Sequence, residues 1–197
     1  LNLQIPKQVT MTGGLFLWRS RRPERPAPYL VPLTATPGAE MYPTFSPDGN
    51  QVAFAWNGRN QDNFDIYAKL IGTDQPLRLT TDPAEDLYPA WSPDGRQIAF
   101  ARSIRPAASL APRYPRKRAD RHGIFVIPAI GGPERKLAET AAMGGLGFPR
   151  RLLAWSPDSK WLVTSDKDSP EEPAGLFLFS LATGEKRRLT YPLTERL

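Results

Sequence analysis

The chain has 197 residues, 40% hydrophobic and 23% charged, a composition of one to one and a half globular domains that excludes a disordered polymer. With no cysteine and one histidine, His122, it has no disulfide, zinc–thiolate, iron–sulfur or multi-histidine chemistry, and its 22 prolines argue against long helices. The net charge of +6 is uneven, with +4 on residues 1–30, +5 on residues 103–122 and −3 on the rest, so the body is mildly acidic and nucleic acid is a disfavoured partner.

Residues 1–30 stand apart. An apolar stretch at 9–18 is followed by Arg19, Arg21 and Arg22 and then by a proline-rich run. Ten residues cannot cross a bilayer, which needs about 20. The segment reads as a basic tether or as the trailing end of a truncated transmembrane helix, and it is the chain's only expected route to a membrane. It is not a signal peptide, because the basic residues follow the apolar part.

From residue 31 onward the sequence repeats. Tyr42-Pro-Thr-Phe-Ser-Pro-Asp-Gly49, Tyr88-Pro-Ala-Trp-Ser-Pro-Asp-Gly95 and Leu152-Leu-Ala-Trp-Ser-Pro-Asp-Ser159 align. The tight-turn residues are Ser46, Pro47, Asp48 and Gly49, then Ser92, Pro93, Asp94 and Gly95, then Ser156, Pro157 and Asp158. Proline presets φ, aspartate bonds its own backbone, and glycine takes the left-handed conformation. Ser159 replaces that glycine in the third unit, which predicts strain or an altered turn. Six to eight residues after each serine stand Val52-Ala-Phe54, Ile98-Ala-Phe100 and Leu162-Val-Thr164. Ile66-Tyr67, Ile124-Phe125 and Leu176-Phe177 follow, and then the markers Leu79-Thr80, Leu137-Ala138 and Leu189-Thr190. These β-branched and aromatic runs, bounded by turn residues, predict four strands in each of three units, at about 37–80, 83–138 and 150–190. Large residues on one face and alanines on the other suit face-to-face stacking. Phe45, Trp91 and Trp155, one per unit, read as packing residues.

A period near 45 residues with four strands per unit is the arithmetic of an all-β propeller of four-stranded antiparallel blades, with about three blades present and the ring incomplete. The Pro-x-Trp-Ser-Pro-Asp-Gly-x-x-Ile-Ala-Phe block, with Ile-Tyr and then Arg-Leu-Thr, closely resembles the TolB-like (WD-like) propeller repeat over residues 31–192. The third unit departs from it at Leu153, Ser159 and Thr164. The resemblance implies a non-catalytic module for protein or peptide binding or sensing, within a larger bacterial protein of the periplasm or cell envelope, with a cytoplasmic location as the alternative. Such propellers also resemble the sensor halves of membrane-attached regulators and kinases. The rival it implies is the gating propeller of a prolyl-oligopeptidase-type serine peptidase whose catalytic domain lies outside this chain. The remaining blades of a parent chain are expected partners, and the end blades of a partial ring should expose apolar faces.

The sequence carries no Gly-x-Ser-x-Gly elbow, no phosphate-binding glycine loop and no His-Glu-x-x-His. No catalytic residue, cofactor or metal is expected. Asp82, Glu85 and Asp86 read as a solvated acidic loop. The spacings place 12 extra residues between the second and third strands of unit two, and 6 before the first strand of unit three. Both fall at the same end of a blade. They supply the candidate partner-binding set Arg113, Arg116, Lys117, Arg118, Arg121, His122, Arg150 and Arg151, suited to an acidic protein or peptide.

Overall fold

A computed structural model describes residues 32–104, 121–141, 153–169 and 172–191. The chain divides into two compact units, Leu1–Pro32 and Leu33–Leu197, and the described elements belong to the second. The N-terminal tether, and whether residues 9–18 form part of a membrane helix, lie outside the described residues. No helix among the described residues is long and apolar enough to cross a membrane.

Those residues form three four-stranded antiparallel sheets. Blade 1 holds β1 (Glu40–Phe45), β2 (Gln51–Trp56), β3 (Asp65–Leu70) and β4 (Leu77–Arg78). Blade 2 holds β5 (Asp86–Trp91), β6 (Gln97–Ser103), β7 (His122–Pro128) and β8 (Arg135–Thr140). Blade 3 holds β9 (Ala154–Trp155), β10 (Trp161–Asp166), β11 (Gly175–Ser180) and β12 (Lys186–Arg188). Within each sheet the strands follow chain order as a meander. β5 packs against β1 and approaches β9, so the first strands converge on the inner side of an open ring.

Period-two alternation dictates how the blades stack. One cluster joins Ala53, Ala55, Ile66 and Ala68 of blade 1 to Ile98, Phe100 and Ile127 of blade 2. A second joins Ala99, Ala101, Ile124 and Val126 of blade 2 to Leu162, Phe177 and Phe179 of blade 3. Each seam is therefore a large face seated on an alanine-containing face, with burial contributing about 1.5–3 kcal/mol per large side chain. At the ends the expectation holds in part. On blade 3, Leu176 and Leu189 are exposed. On blade 1, Val52, Phe54, Trp56 and Tyr67 are buried as a hydrophobic cluster of their own. Tyr67 meets Trp56 edge-on at 4.8 Å, and the Trp56 indole donates to the Pro37 carbonyl at 3.0 Å.

The serine–proline–aspartate turns are built alike. Ser46, Ser92 and Ser156 each donate a hydroxyl hydrogen bond to Asp48, Asp94 and Asp158 at 2.6 Å. Each serine carbonyl accepts the N–H of Gly49, Gly95 or Ser159 at 2.9–3.0 Å. Those hydroxyl bonds, helped by backbone N–H donors, hold all three carboxyls below the usual carboxylate range. Ser159 takes φ 59°, beside 73° and 74° at Gly49 and Gly95. The third turn is therefore not altered, and Ser159 bears the left-handed strain itself.

Two features were not foreseen. Tyr42-Pro43 and Tyr88-Pro89 fall in register breaks of β1 and β5, between Met41 and Thr44 and between Leu87 and Ala90. Both tyrosines have positive φ, and their ring centroids lie 4.3 Å apart across the first seam. A proline, lacking a donor, fits a bulge where the ladder is already broken. The second feature is Thr164, which sits opposite Phe177 as Phe100 sits opposite Phe125. Its hydroxyl is buried without a hydrogen-bond partner. Replacing Thr164 with valine should raise stability by about 1 kcal/mol, because a desolvated hydroxyl is removed at constant shape. Urea unfolding checks this, and a loss of stability would show that the hydroxyl is satisfied.

Candidate functional site

Trp56, Arg102 and Asp166 occupy equivalent positions at the ends of β2, β6 and β10, opposite Asp65, Gly123 and Gly175. The repeat thus varies at the blade end that also carries both insertions. Ser103, His122 and Thr140 stand side by side there in register across β6, β7 and β8. The Ile104 N–H donates to the Arg121 carbonyl at 3.1 Å, closing the stem of the longer insertion. The shorter one begins where the Ala141 N–H donates to Asp166 at 2.8 Å.

The acidic segment between blades 1 and 2 is solvated only in part, with Asp82 38% exposed but Asp86 withdrawn into β5. Asp86 is fully buried, and its carboxylate accepts two hydrogen bonds from the Arg102 guanidinium at 2.7 and 2.8 Å. The same guanidinium bonds Asp82 at 3.1 Å and Glu134, and lies 4.5 Å from the Phe125 ring centroid. Burial pushes the Asp86 carboxyl up to about 6, with Arg102 opposing and the negative Glu134 assisting. Burial works against the Arg102 charge, but Asp86 and Glu134 overcome it and raise its pKa further above the usual range. Thr80 donates to Asp65, which Arg78 pairs at 2.5 Å. Burial raises the Asp65 carboxyl, with the Arg78 and Thr80 bonds opposing.

The second seam uses other residues for the same purpose. Asp166 is buried, is bonded by the Thr140 hydroxyl at 3.0 Å, and pairs with Lys186 at 2.8 Å. Burial pushes its carboxyl up, but these partners outweigh burial and leave it below the ordinary value. The Trp155 indole reaches back to the Ala90 carbonyl at 2.9 Å. Trp155 is thus a seam residue and Trp91 a buried core residue, whereas Phe45 is 64% exposed.

Of the basic set, Arg113, Arg116, Lys117, Arg118, Arg150 and Arg151 lie outside the described residues. Arg121 is exposed and paired with Glu139 at 2.7 Å. His122 is a buried residue of β7, only 8% exposed, so it belongs to the sheet and not to a basic loop. Among the described residues no group of three His, Cys, Asp or Glu side chains is placed to hold a metal ion. The ion pairs in this region each brace a single blade, and the blades are joined beneath the two stems by hydrogen bonds, from the Thr140 hydroxyl and the Ala141 N–H to Asp166 and from the Asp86 N–H to the Phe64 carbonyl. Sequence reading missed Arg102 and Asp86. The available signal was a charged residue, Arg102, continuing the buried Ile98-Ala-Phe-Ala run.

No protein-family model matches the sequence. No curated protein matches it either. Solved structures do. TolB from Acinetobacter baumannii superposes with a TM-score of 0.57 at 15% identity, over 79% of this chain and 33% of that one. A protein assigned as TolB from Agrobacterium tumefaciens gives 0.53 at 20% identity, over 79% and 47%. The β-propeller domain of the Trilobed protease from Pyrococcus furiosus gives 0.51 at 18% identity, over 78% and 43%. The chain therefore has the β-propeller fold, like TolB, and spans between a third and a half of the length of these proteins.

Proposed function

We propose that this chain is a non-catalytic, TolB-like propeller module that binds a protein or peptide, acidic in character, within a larger bacterial envelope protein. The observation that supports the reading most is the pair of insertion stems at one end of the blades, the longer in register at Ser103, His122 and Thr140 and the shorter beginning beside the cross-blade hydrogen bond from Thr140 to Asp166. Variable segments on a rigid repeat scaffold are where such folds carry recognition. The fold is shared by TolB and by peptidase propellers, so the peptidase alternative is separated by the parent gene: an α/β-hydrolase domain with a Gly-x-Ser-x-Gly elbow would favour it.

Replacing Arg116, Lys117 and Arg118 with serine should weaken capture of an acidic partner several-fold at low salt. The effect should be smaller at physiological salt, where the Debye length is about 8 Å. Affinity capture of proteins from bacterial extract at two ionic strengths, with far-ultraviolet circular dichroism as the fold control, reads this out. Equal capture by both proteins at both salts would remove the basic insertion from the binding function.

A further inference from the structure

The opposite end of the blades, away from the insertions, holds a second feature that the repeat does not account for. A groove of about 480 Å³ lies where the tight turns of blades 2 and 3 meet, and its lining includes Gln97, Arg135, Ser159, Lys160, Trp161 and Leu181. Two of the lining residues, Ser159 and Trp161, replace a glycine and a glutamine that the other two units share. Ser159, Lys160 and Trp161 stand where the other units have Gly49-Asn50-Gln51 and Gly95-Arg96-Gln97. The break is costly at Ser159, which holds φ 59°. A left-handed non-glycine residue costs roughly 1–2 kcal/mol and is retained where the surroundings enforce it. Here the Ser159 hydroxyl oxygen accepts the Asp94 N–H at 3.1 Å, tying the third turn to the second blade.

The lining chemistry is one-sided. Arg135 enters from blade 2 and Lys160 from blade 3, and no carboxylate lines the groove. Of the nearest carboxylates in sequence, Asp94 and Asp158 are bonded within their own turns and Glu134 is bonded to Arg102. Arg135 is fixed by one hydrogen bond to the Leu181 carbonyl at 2.8 Å. Trp161 and Leu181 supply apolar surface to the same lining. The volume falls in the range of small-ligand pockets, about 300–1,000 Å³.

We propose that this groove binds an extended acidic peptide whose side-chain carboxylates meet Arg135 and Lys160 while an intervening apolar side chain lies on Trp161 and Leu181. The proposal rests on the peptide-binding reading above and gives it a second site at the other end of the blades. Calorimetric titration with an end-blocked tetrapeptide alternating glutamate and leucine tests it on the full chain, with the glutamine–leucine analogue and a tetraleucine peptide with a free C-terminal carboxylate as comparison arms. The glutamate peptide should bind, and both comparison peptides at least tenfold more weakly. Lys160→Glu, a change at an exposed side chain, and Arg135→Gln should each weaken binding about tenfold with circular dichroism unchanged. Equal binding by wild type and Lys160→Glu would overturn the groove as the site, as would preference for the free C-terminus or no binding of the glutamate peptide. If extract partners are still captured through the basic insertion in any of those cases, the functional reading survives and only this inference falls. If neither the peptide nor any extract partner binds, both fall.

Discussion

Arg102→Met should cost about 3–5 kcal/mol of unfolding free energy, because it removes one partner of a buried ion cluster and strands the rest. Asp86 would remain fully buried with no cation, beside Asp82 and Glu134, which share the same guanidinium. Methionine keeps the contact with Phe100 and Phe125, so the loss reports charge and not volume. Adding Asp86→Leu to Arg102→Met should recover most of the loss, since an apolar pair of similar size is often neutral against a buried ion pair. The pH dependence has a definite sign. The Asp86 carboxyl is raised from 3.8 to about 6 in the fold, so the folded state holds the extra proton between those values. Its contribution to stability is complete below pH 3.8 and is lost as pH rises through about 6. The stability difference between wild type and Asp86→Asn should therefore shift against wild type as pH rises from 4 to 7. Urea midpoints across that range measure it, and a difference that moves in favour of wild type would show that Arg102 dominates burial at this carboxyl.

The architecture was legible because it is written in local chemistry repeated three times. Turn residues at fixed offsets, and alternation of Val52, Phe54 and Ile98, Phe100 with alanines, specify strands and faces without knowledge of the neighbours. What could not be read depends on the neighbours. Asp86 looks like any loop carboxylate until strand pairing within blade 2 sets it opposite Arg102 of β6, whose guanidinium also reaches Glu134 in the turn before β8. His122 follows a run of arginines, and only its pairing with Ser103 and Thr140 places it inside a sheet. The Tyr-Pro bulges were hidden for another reason. A tyrosine with positive φ violates the local preference that sequence reading relies on, and the ring contact between Tyr42 and Tyr88 arises only across the seam. Of the candidate site, the stems are visible in the spacings, since the insertions interrupt the repeat in two loops that a meander places at the same end of a blade. The groove is not, because it forms between turns 65 residues apart in the chain, joined by Ser159 and Asp94.

The seam order itself, large face on alanine-containing face, is the claim on which the scaffold and both binding readings depend. Phe100 and Phe45 test it together, because both look like equivalent apolar strand residues in sequence. Phe100 is completely buried between blades 1 and 2, whereas Phe45 is 64% exposed on the first strand of blade 1. Phe100→Ala should lower the unfolding free energy by about 3–5 kcal/mol, the range for truncating a buried phenylalanine. Phe45→Ala should change it by no more than about 0.5 kcal/mol, as surface substitutions do. Chemical unfolding of the two variants beside wild type is the direct measurement. A large loss at Phe100 with near-neutrality at Phe45 is the result this architecture predicts, and equal losses at the two positions would contradict it.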